Sequence, residues 1–156
     1  MKWIVLVLIL GVLSQIAFAQ EVIKIITLKN QPIVIGKLNG KKAYFLIDTG
    51  SDVTLLNLKD ANKFRFKFRK IDLQGYKLSA LGSEHQQEIW MAYNVAIHLG
   101  NKKMKGYFKV FDLSRIASSI RRDSGIKING IIGSDVMKKH KFLIDYEAKE
   151  ISIKRD

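Results

Sequence analysis

The residues best suited to catalysis lie in the stretch AYFLIDTGSDVTLL, from Ala43 to Leu56. An apolar run there ends at one carboxylate, Asp48, which Thr49, Gly50 and Ser51 follow at once. Runs of Tyr, Phe, Leu and Ile favour a buried strand, and a glycine directly afterwards permits a sharp turn. A carboxylate is costly to bury there unless hydrogen-bond donors receive it. The pattern therefore predicts either the acid of an active site or an Asx-type turn that ends a strand.

A second stretch, INGIIGSDVM from Ile128 to Met137, carries two apolar residues and a glycine at Ile131-Ile132-Gly133. Between the two stretches, Tyr76 to Gln87 has the composition of a hairpin with Gly82 near its tip. In this order and spacing, these elements resemble the retropepsin-like aspartic proteases, the family of retroviral proteases and their single-domain bacterial relatives. The resemblance implies a mostly β, single-domain, closed β-barrel with a short C-terminal helix and no cofactor or metal.

The resemblance also implies roles for individual residues. Asp48 is the expected catalytic residue, and Thr49, Gly50 and Ser51 are expected to support it: the threonine bonds across a dimer, and the serine offers its hydroxyl to the carboxylate. The hairpin implies a flap over the substrate. The expected substrate-binding residues are Gly50, Asp52, Leu81, Gly82 and Ile132. In viral members an arginine follows the late glycine and pairs with the residue at position 52; Ser134 stands there in this chain, which removes that pair.

Aspartic proteolysis needs a pair of carboxylates that share one proton. One carboxylate activates a water, and its protonated partner hydrogen-bonds to the oxygen of the scissile carbonyl. The chain has one Asp-Thr-Gly element; Asp145 follows a similar Phe-Leu-Ile run but precedes Tyr146 and Glu147. We therefore expect an aspartic endopeptidase that is a homodimer, with one Asp48 from each subunit, and whose substrate is a peptide or protein.

The first residues have the pattern of a secretory signal peptide. Lys2 precedes an apolar run from Trp3 to Leu13, and Ala17-Phe18-Ala19 provides a cleavage site. We expect residues 1–19 to be removed and residues 20–156 to form the protease domain, exported to the periplasm or outside the cell. An uncleaved membrane anchor is the alternative, although the run is shorter than a membrane span requires. The chain has no cysteine, so its fold relies on a core instead of disulfides.

The formal net charge is +13, which favours contact with polyanions, acidic substrates or anionic membrane surfaces. The alternative function is thus a non-catalytic, exported binding protein that uses this basic surface. Basic and aromatic residues alternate in KFRFKFRK, from Lys63 to Lys70. A stacking surface for nucleic acid needs both kinds on one face, whereas a strand places them on opposite faces. We therefore expect a half-buried strand and no specific nucleic-acid partner.

The remaining pattern predicts the elements around these stretches. His85, His98 and His140 lack the spacing of a metal site, and each is expected at the surface. A hairpin turn is expected at Asn39-Gly40 and a turn of helix near Leu58 to Asn62. The helices are predicted at Ser114–Arg122 and Ser134–Lys139, the second capped by Ser134 or Asp135. The strands are predicted at Glu21–Leu28, Pro32–Leu38, Trp90–Leu99, Lys103–Phe111, Phe142–Asp145 and Ile151–Lys154.

Overall fold

The computed structural model describes residues 20–28, 31–70 and 90–154. The predicted signal peptide (residues 1–19) and the predicted flap (residues 76–87) lie outside the described residues. The strands are β1 Gln20–Leu28, β2 Gln31–Leu38, β3 Lys41–Ile47, β4 Leu55–Asn57, β5 Lys67–Lys70, β6 Trp90–Tyr93, β7 Ile97–Leu99, β8 Lys102–Met104, β9 Lys109–Phe111, β10 Gly130–Ile132, β11 Phe142–Asp145 and β12 Glu150–Lys154. A 3₁₀ turn covers Leu58–Asp60, and the helices are α1 Ala61–Phe64, α2 Ser114–Ser124 and α3 Ser134–Lys139.

The fold is mostly β, as the sequence predicts. The strands run in the order β11-β12-β1-β2-β3-β10-β4-β9-β6-β5, with β7 and β8 beside β2. Among the described residues this order is open at both ends, so the sheet does not close into the expected barrel. No helix in the described ranges is long and apolar enough to cross a membrane.

The short strand β10 organises the centre of the sheet. It lies between β3 and β4, parallel to the first and antiparallel to the second. Consecutive strands are therefore separated by a strand that comes from much later in the chain. The loop from Asp48 to Thr54, which joins β3 to β4, must cross the end of β10 where Gly133 follows it.

Side chains alternate between two apolar clusters on the two faces of these central strands. Phe45, Leu56 and Ile132 belong to the larger cluster, which α1 and α3 also cover. Leu55 and Ile131 belong to the smaller cluster, to which Ala117 and Ile120 of α2 contribute. Burial on both faces explains why the sequence is almost continuously apolar here. It also fixes the strand register, since a one-residue slip would exchange the two faces.

The predicted turn at Asn39-Gly40 is confirmed, with φ of 49° and 79° at the two residues. Positive φ at both central residues is the geometry of a tight hairpin turn, which explains the Asn-Gly pair. The Asn39 side chain also donates to the carbonyls of Phe64 and Asn94 and accepts from the Ala96 N–H. The turn is therefore attached to the rest of the sheet.

The prediction of one strand from Lys63 to Lys70 is wrong in its first half. Phe64 ends α1, and Arg65 adopts a left-handed conformation with φ of 56°. Phe64 and Phe66 are buried as predicted, but Phe68 is 38% exposed and contacts Trp90 edge to face. Within Lys63–Lys70, only the second half forms a strand, which is β5. The helix end, not strand alternation, therefore sets the direction of the first aromatic side chain.

Two other predicted strands are each divided in the structure. Asn94, with φ of 57°, separates β6 from β7 within the predicted strand Trp90–Leu99. A segment around Gly106 separates β8 from β9. The predictions for α2, α3 and β11 agree with the structure to within two residues.

Candidate active site

Asp48 lies at the end of β3, half-buried, where β3 runs beside β10. Its N–H donates to the Ile132 carbonyl at 3.1 Å, which extends the pairing of the two strands by one residue. The Gly50 N–H donates to Asp48 Oδ1 at 2.9 Å, and the Ser51 N–H donates to the Asp48 carbonyl at 3.2 Å. The turn therefore supplies a donor to one oxygen of the Asp48 carboxylate, which lies half-buried at the end of β3.

The loop after Asp48 contacts the start of α3 through its backbone. The Ser134 N–H donates to the Ser51 carbonyl at 2.8 Å. A Cβ atom at Gly133 would lie 2.5 Å from the carbonyl carbon and oxygen of Val53. Only glycine allows this approach without displacing backbone. This contact explains the glycine that follows the two late isoleucines, and it fixes the position of the Asp48 loop against β10.

Thr54 joins the same two segments through its side chain. Its hydroxyl accepts from the Gly133 N–H at 3.0 Å and donates to Asp135 Oδ1 at 2.7 Å. Asp135 Oδ1 also accepts from the Val136 N–H at 2.8 Å. Thr54 is fully buried, so its polar groups need these partners. The sequence pattern assigns Thr54 no role, and the one feature that could indicate it is a hydroxyl between the apolar residues Val53 and Leu55.

Two expected contacts differ in the structure. The Ser51 hydroxyl donates to the Val53 carbonyl at 2.8 Å, so its only proton is not directed at the Asp48 carboxylate. The predicted cap of α3 is also wrong: Gly133 is the N-cap residue, with no side-chain hydrogen bond. Asp135 instead accepts from Thr54. Both side chains therefore bond to a partner other than the predicted one: the Ser51 hydroxyl bonds to a backbone carbonyl, and the Asp135 carboxylate bonds to a hydroxyl.

The remaining expected site residues fall into three environments. Three of them are exposed in the turn that follows β3, namely Thr49, Gly50 and Asp52. Ile132 is fully buried in the core, and its carbonyl accepts from the Asp48 N–H; its substrate-binding role stays a prediction. Leu81 and Gly82 lie outside the described residues, and their substrate-binding role stays a prediction.

A buried polar cluster lies at the opposite end of β4. Asp60 is 5% exposed, and its Oδ2 accepts from Asn57 Nδ2 at 3.2 Å and from Asn129 Nδ2 at 2.9 Å. Lys127 Nζ lies 3.6 Å from Asp60 Oδ1. Asn129 exchanges hydrogen bonds with the backbone of Tyr44 through its side-chain oxygen and its N–H. The cluster therefore ties β3, β4 and the start of β10 together.

The histidines are placed differently from the expectation that all lie at the surface. His140 is buried, with 5% exposure, and its Nε2 accepts from the Lys105 N–H at 2.8 Å. His98 is half-buried in β7, and His85 lies outside the described residues. The His140 contact connects the end of α3 to the segment before β9. Sequence spacing alone could not indicate a partner so far along the chain.

Solved structures of other proteins share this fold. The EIAV protease complexed with the inhibitor HBY-793 is 22% identical, with a TM-score of 0.50 over 72% of this chain and 90% of that chain. The retroviral protease-like domain of Ddi1 from Leishmania major is 17% identical, with a TM-score of 0.54 over 79% and 87%. A retropepsin-like aspartic protease from Rickettsia conorii is 18% identical, with a TM-score of 0.50 over 86% and 92%. The fold is therefore that of the retropepsin-like aspartic proteases.

Residues 34–136 match the family described as aspartyl protease, a range that includes both Asp48 and Gly133. The chain belongs to the aspartyl protease family. A comparison with curated proteins found no match. The predicted resemblance is thus confirmed.

Proposed function

We propose that the protein is a homodimeric aspartic endopeptidase in which the Asp48 residues of two subunits share one proton. The observation that supports this most directly is the position of Asp48, held by the Gly50 N–H at 2.9 Å at the end of a strand in an aspartyl protease fold. The chain has one Asp-Thr-Gly element, so the second carboxylate must come from another copy.

In the proposed mechanism the ionised Asp48 takes a proton from a water, which attacks the scissile carbonyl of a peptide. The protonated Asp48 of the other subunit hydrogen-bonds to the oxygen of the scissile carbonyl as the carbonyl carbon becomes tetrahedral. The proton then passes to the leaving amine, and the dyad returns to its singly protonated state. Like charges this close disfavour double ionisation, so activity should fall as the pH rises and removes the shared proton.

The first test is Asp48→Asn, which keeps the shape of the side chain and removes the group that accepts the proton of water. Digestion of a peptide library at several pH values, with and without a pepstatin-type inhibitor, should show Asp48-dependent cleavage. Asp123→Asn, an exposed change of the same type on α2, is the matched control. If folded Asp48→Asn cleaves peptides like wild type, the proposal is wrong. A folded dimer without peptidase activity would favour the alternative, a binding protein.

A mixing experiment tests whether the dyad is shared. In a random mixture of equal amounts of wild type and Asp48→Asn, about one quarter of dimers have both carboxylates. Activity should therefore follow the square of the wild-type fraction after subunit exchange. A linear dependence on that fraction would show that one subunit suffices and would exclude the shared dyad.

We also propose export, with residues 1–19 removed and Gln20 at the mature N-terminus. Support comes from the charged start, the apolar run and Ala17-Phe18-Ala19. N-terminal sequencing of exported protein tests it, and Met1 retained in a membrane fraction would show an anchor. Association with anionic surfaces is a separate proposal based on the net charge of +13. Binding to anionic vesicles should weaken as salt rises.

A further inference from the structure

The side chain of Asp48 belongs to one particular face of the central strands. Successive residues of a strand point to opposite faces. Ile47 belongs to the larger apolar cluster, whereas Leu46 packs against the smaller one. Because the Asp48 N–H still bonds to β10, the alternation continues and places the Asp48 side chain on the same face as Leu46. We call this the Asp48 face.

A row of paired residues crosses the Asp48 face from β3 to β5. Its members, each in register with the next across two adjacent strands, are Leu46, Ile131, Leu55, Lys109, Met91 and Arg69. Ile131 and Leu55 are buried in the smaller cluster. Lys109 and Met91 are half-buried, and Arg69 is exposed. The row therefore begins in the core and ends at a cation in solvent.

The neighbours of these residues along the chain point the other way. Phe108 and Val110 flank Lys109 and belong to the larger cluster, on the opposite face. The two residues that flank Met91 pack against the same cluster. Lys109 and Met91 therefore lie on the Asp48 face, and so does Arg69, which is in register with Met91.

Two exposed cations lie where this face reaches β5. Lys67 and Arg69 are two residues apart, so both side chains are on the Asp48 face. Lys67 is in register with the exposed Tyr93, whose hydroxyl can also donate to an anion. The strands β4, β5, β6 and β9 carry no acidic residue. This part of the Asp48 face therefore presents positive charge to solvent.

The strand directions show which of the two cations is level with Asp48. Asp48 follows Leu46 by two residues along β3. Between β3 and β5 the direction is kept at parallel partners and reverses at three antiparallel ones, so β5 runs opposite to β3. The residue of β5 that is level with Asp48 is therefore two places before Arg69, and it is Lys67.

The separation suits an extended peptide that lies across the strands. Five strand spacings lead from β3 to β5, which is about 24 Å along the sheet. An extended peptide advances about 3.3 Å per residue, and long side chains on both partners shorten the span that the peptide must cover. A carboxylate bound by Lys67 or Arg69 would then belong to a residue roughly four to seven positions from the bond at Asp48.

We propose that Lys67 and Arg69 bind acidic side chains of the substrate, so that the enzyme selects peptides with acidic residues at this distance from the scissile bond. The inference rests on the proposed function, since it concerns the substrate of the Asp48 dyad. An exposed lysine or arginine ordinarily meets only water. These two differ because they share a face and a row of paired residues with the Asp48 strand. In a twofold dimer the site occurs on both sides of the dyad.

Three peptide pools test this selection. They share random central residues and differ only four to seven positions from the centre, where they carry glutamate, glutamine or lysine. Above about pH 5 the glutamate side chains are ionised. At low peptide concentration, where the initial rate reports kcat/KM, wild type should cleave the glutamate pool about threefold to tenfold faster than the glutamine pool. The ratio should shrink as salt rises.

Charge reversal shows whether these residues are responsible. The double variant Lys67→Glu, Arg69→Glu should reverse the order, so that the lysine pool is cleaved fastest. Misfolding would slow the cleavage of every pool and could not create a new preference. Lys37→Glu with Lys103→Glu is the matched control, because it changes the net charge equally at two exposed strand lysines away from the row. The control should keep the glutamate preference, and its loss there would assign the selection to net charge and overturn the site.

The outcomes separate this inference from the proposed function. Asp48-dependent cleavage without a glutamate preference, or with that preference kept after charge reversal at Lys67 and Arg69, would overturn the site and leave the proposed function intact. If wild type cleaves no pool, the proposed function fails, and fluorescence anisotropy with the same labelled pools decides the site. Tighter binding of the glutamate pool that charge reversal abolishes would support it, whereas equal binding of the glutamate and glutamine pools would overturn it.

Discussion

The Thr54 hydroxyl donates to Asp135 Oδ1 at 2.7 Å and accepts from the Gly133 N–H at 3.0 Å. This contact joins residues 81 positions apart in the chain. It holds the end of the Asp48 loop to the first turn of α3. The backbone bond from the Ser134 N–H to the Ser51 carbonyl at 2.8 Å attaches the loop to the start of α3 at a second point.

We predict that Thr54→Val weakens both the fold and the site. Valine keeps the shape but leaves the buried Gly133 N–H without its acceptor. An unsatisfied buried group costs about 1–3 kcal/mol of unfolding free energy, which urea denaturation would measure. Activity per folded dimer should also fall, because Asp48 would be less precisely held. Thr54→Ser, which retains the hydroxyl, should recover most of both; equal losses in the two variants would point to packing instead.

The sequence predicts the parts of the site that local chemistry determines. An apolar run before Asp48 and the glycine after it are enough to place a carboxylate at a strand end. The contact of Thr54 with Asp135 could not be predicted, because it depends on β10 entering the sheet between β3 and β4. The bond from the Ser51 hydroxyl to the Val53 carbonyl is local, but the pattern does not show whether a serine bonds to nearby backbone or to a neighbouring carboxylate.

The errors in the predicted strands have a local cause, which is a non-glycine residue with positive φ. Alternation in Lys63–Lys70 predicts a strand, but the left-handed Arg65 turns the chain after Phe64 has reached the core. Asn94 divides a predicted strand in the same manner. A residue other than glycine with positive φ is uncommon and carries only a weak sequence signal. The apolar periodicity therefore predicts the burial of Phe64 and Phe66 correctly, but it is wrong for Phe68 and for the continuity of the strand.

We predict that Gly133→Ala is destabilising although alanine adds only a methyl group. Its Cβ would lie 2.5 Å from the Val53 carbonyl, and backbone cannot move aside as a flexible side chain can. Overpacking of this kind costs about 1–3 kcal/mol, and the displaced loop should reduce turnover as well. Ser134→Ala is the neighbouring control, since it keeps the backbone N–H that bonds to Ser51. Wild-type stability in Gly133→Ala would show that the two segments are not held this closely.

We predict that Asp60→Ala, at the end of β4 opposite the Asp48 loop, destabilises the fold. The change leaves the amides of Asn57 and Asn129 without their shared acceptor, and it removes the anion facing Lys127. Loss of hydrogen bonds to a buried charged group costs about 1.5–3 kcal/mol in chemical denaturation. Lys127→Met should cost less than about 1 kcal/mol, because the lysine side chain is half-exposed and screened. Equal losses in the two variants would assign the effect to the ion pair.

The last prediction concerns Asp112, which precedes α2. Its Oδ1 accepts from the Ser114 N–H at 2.9 Å, and Lys59 Nζ lies 3.6 Å from its Oδ2. The bonds from Ser114, and more weakly the nearby lysine, hold the pKa of Asp112 below its ordinary value of 3.8, against a smaller opposing effect of burial. A lowered pKa means that the ionised form stabilises the folded state. This stabilisation is complete above the ordinary value and is lost as the pH falls below it, through the folded-state pKa.

Asp112→Asn should therefore destabilise the protein near neutral pH and cease to matter in strong acid. Because Asp112 is partly exposed and solvent screens its interactions, the loss should be only about 0.3–1 kcal/mol. Thermal unfolding of wild type and variant measures it: the two melting temperatures should differ at neutral pH and converge as the pH falls below 3.8. Asp123→Asn, an exposed change near the end of the same helix, controls for the general effect of charge. A difference that stays constant across this range would show that the carboxylate contributes through shape rather than ionisation.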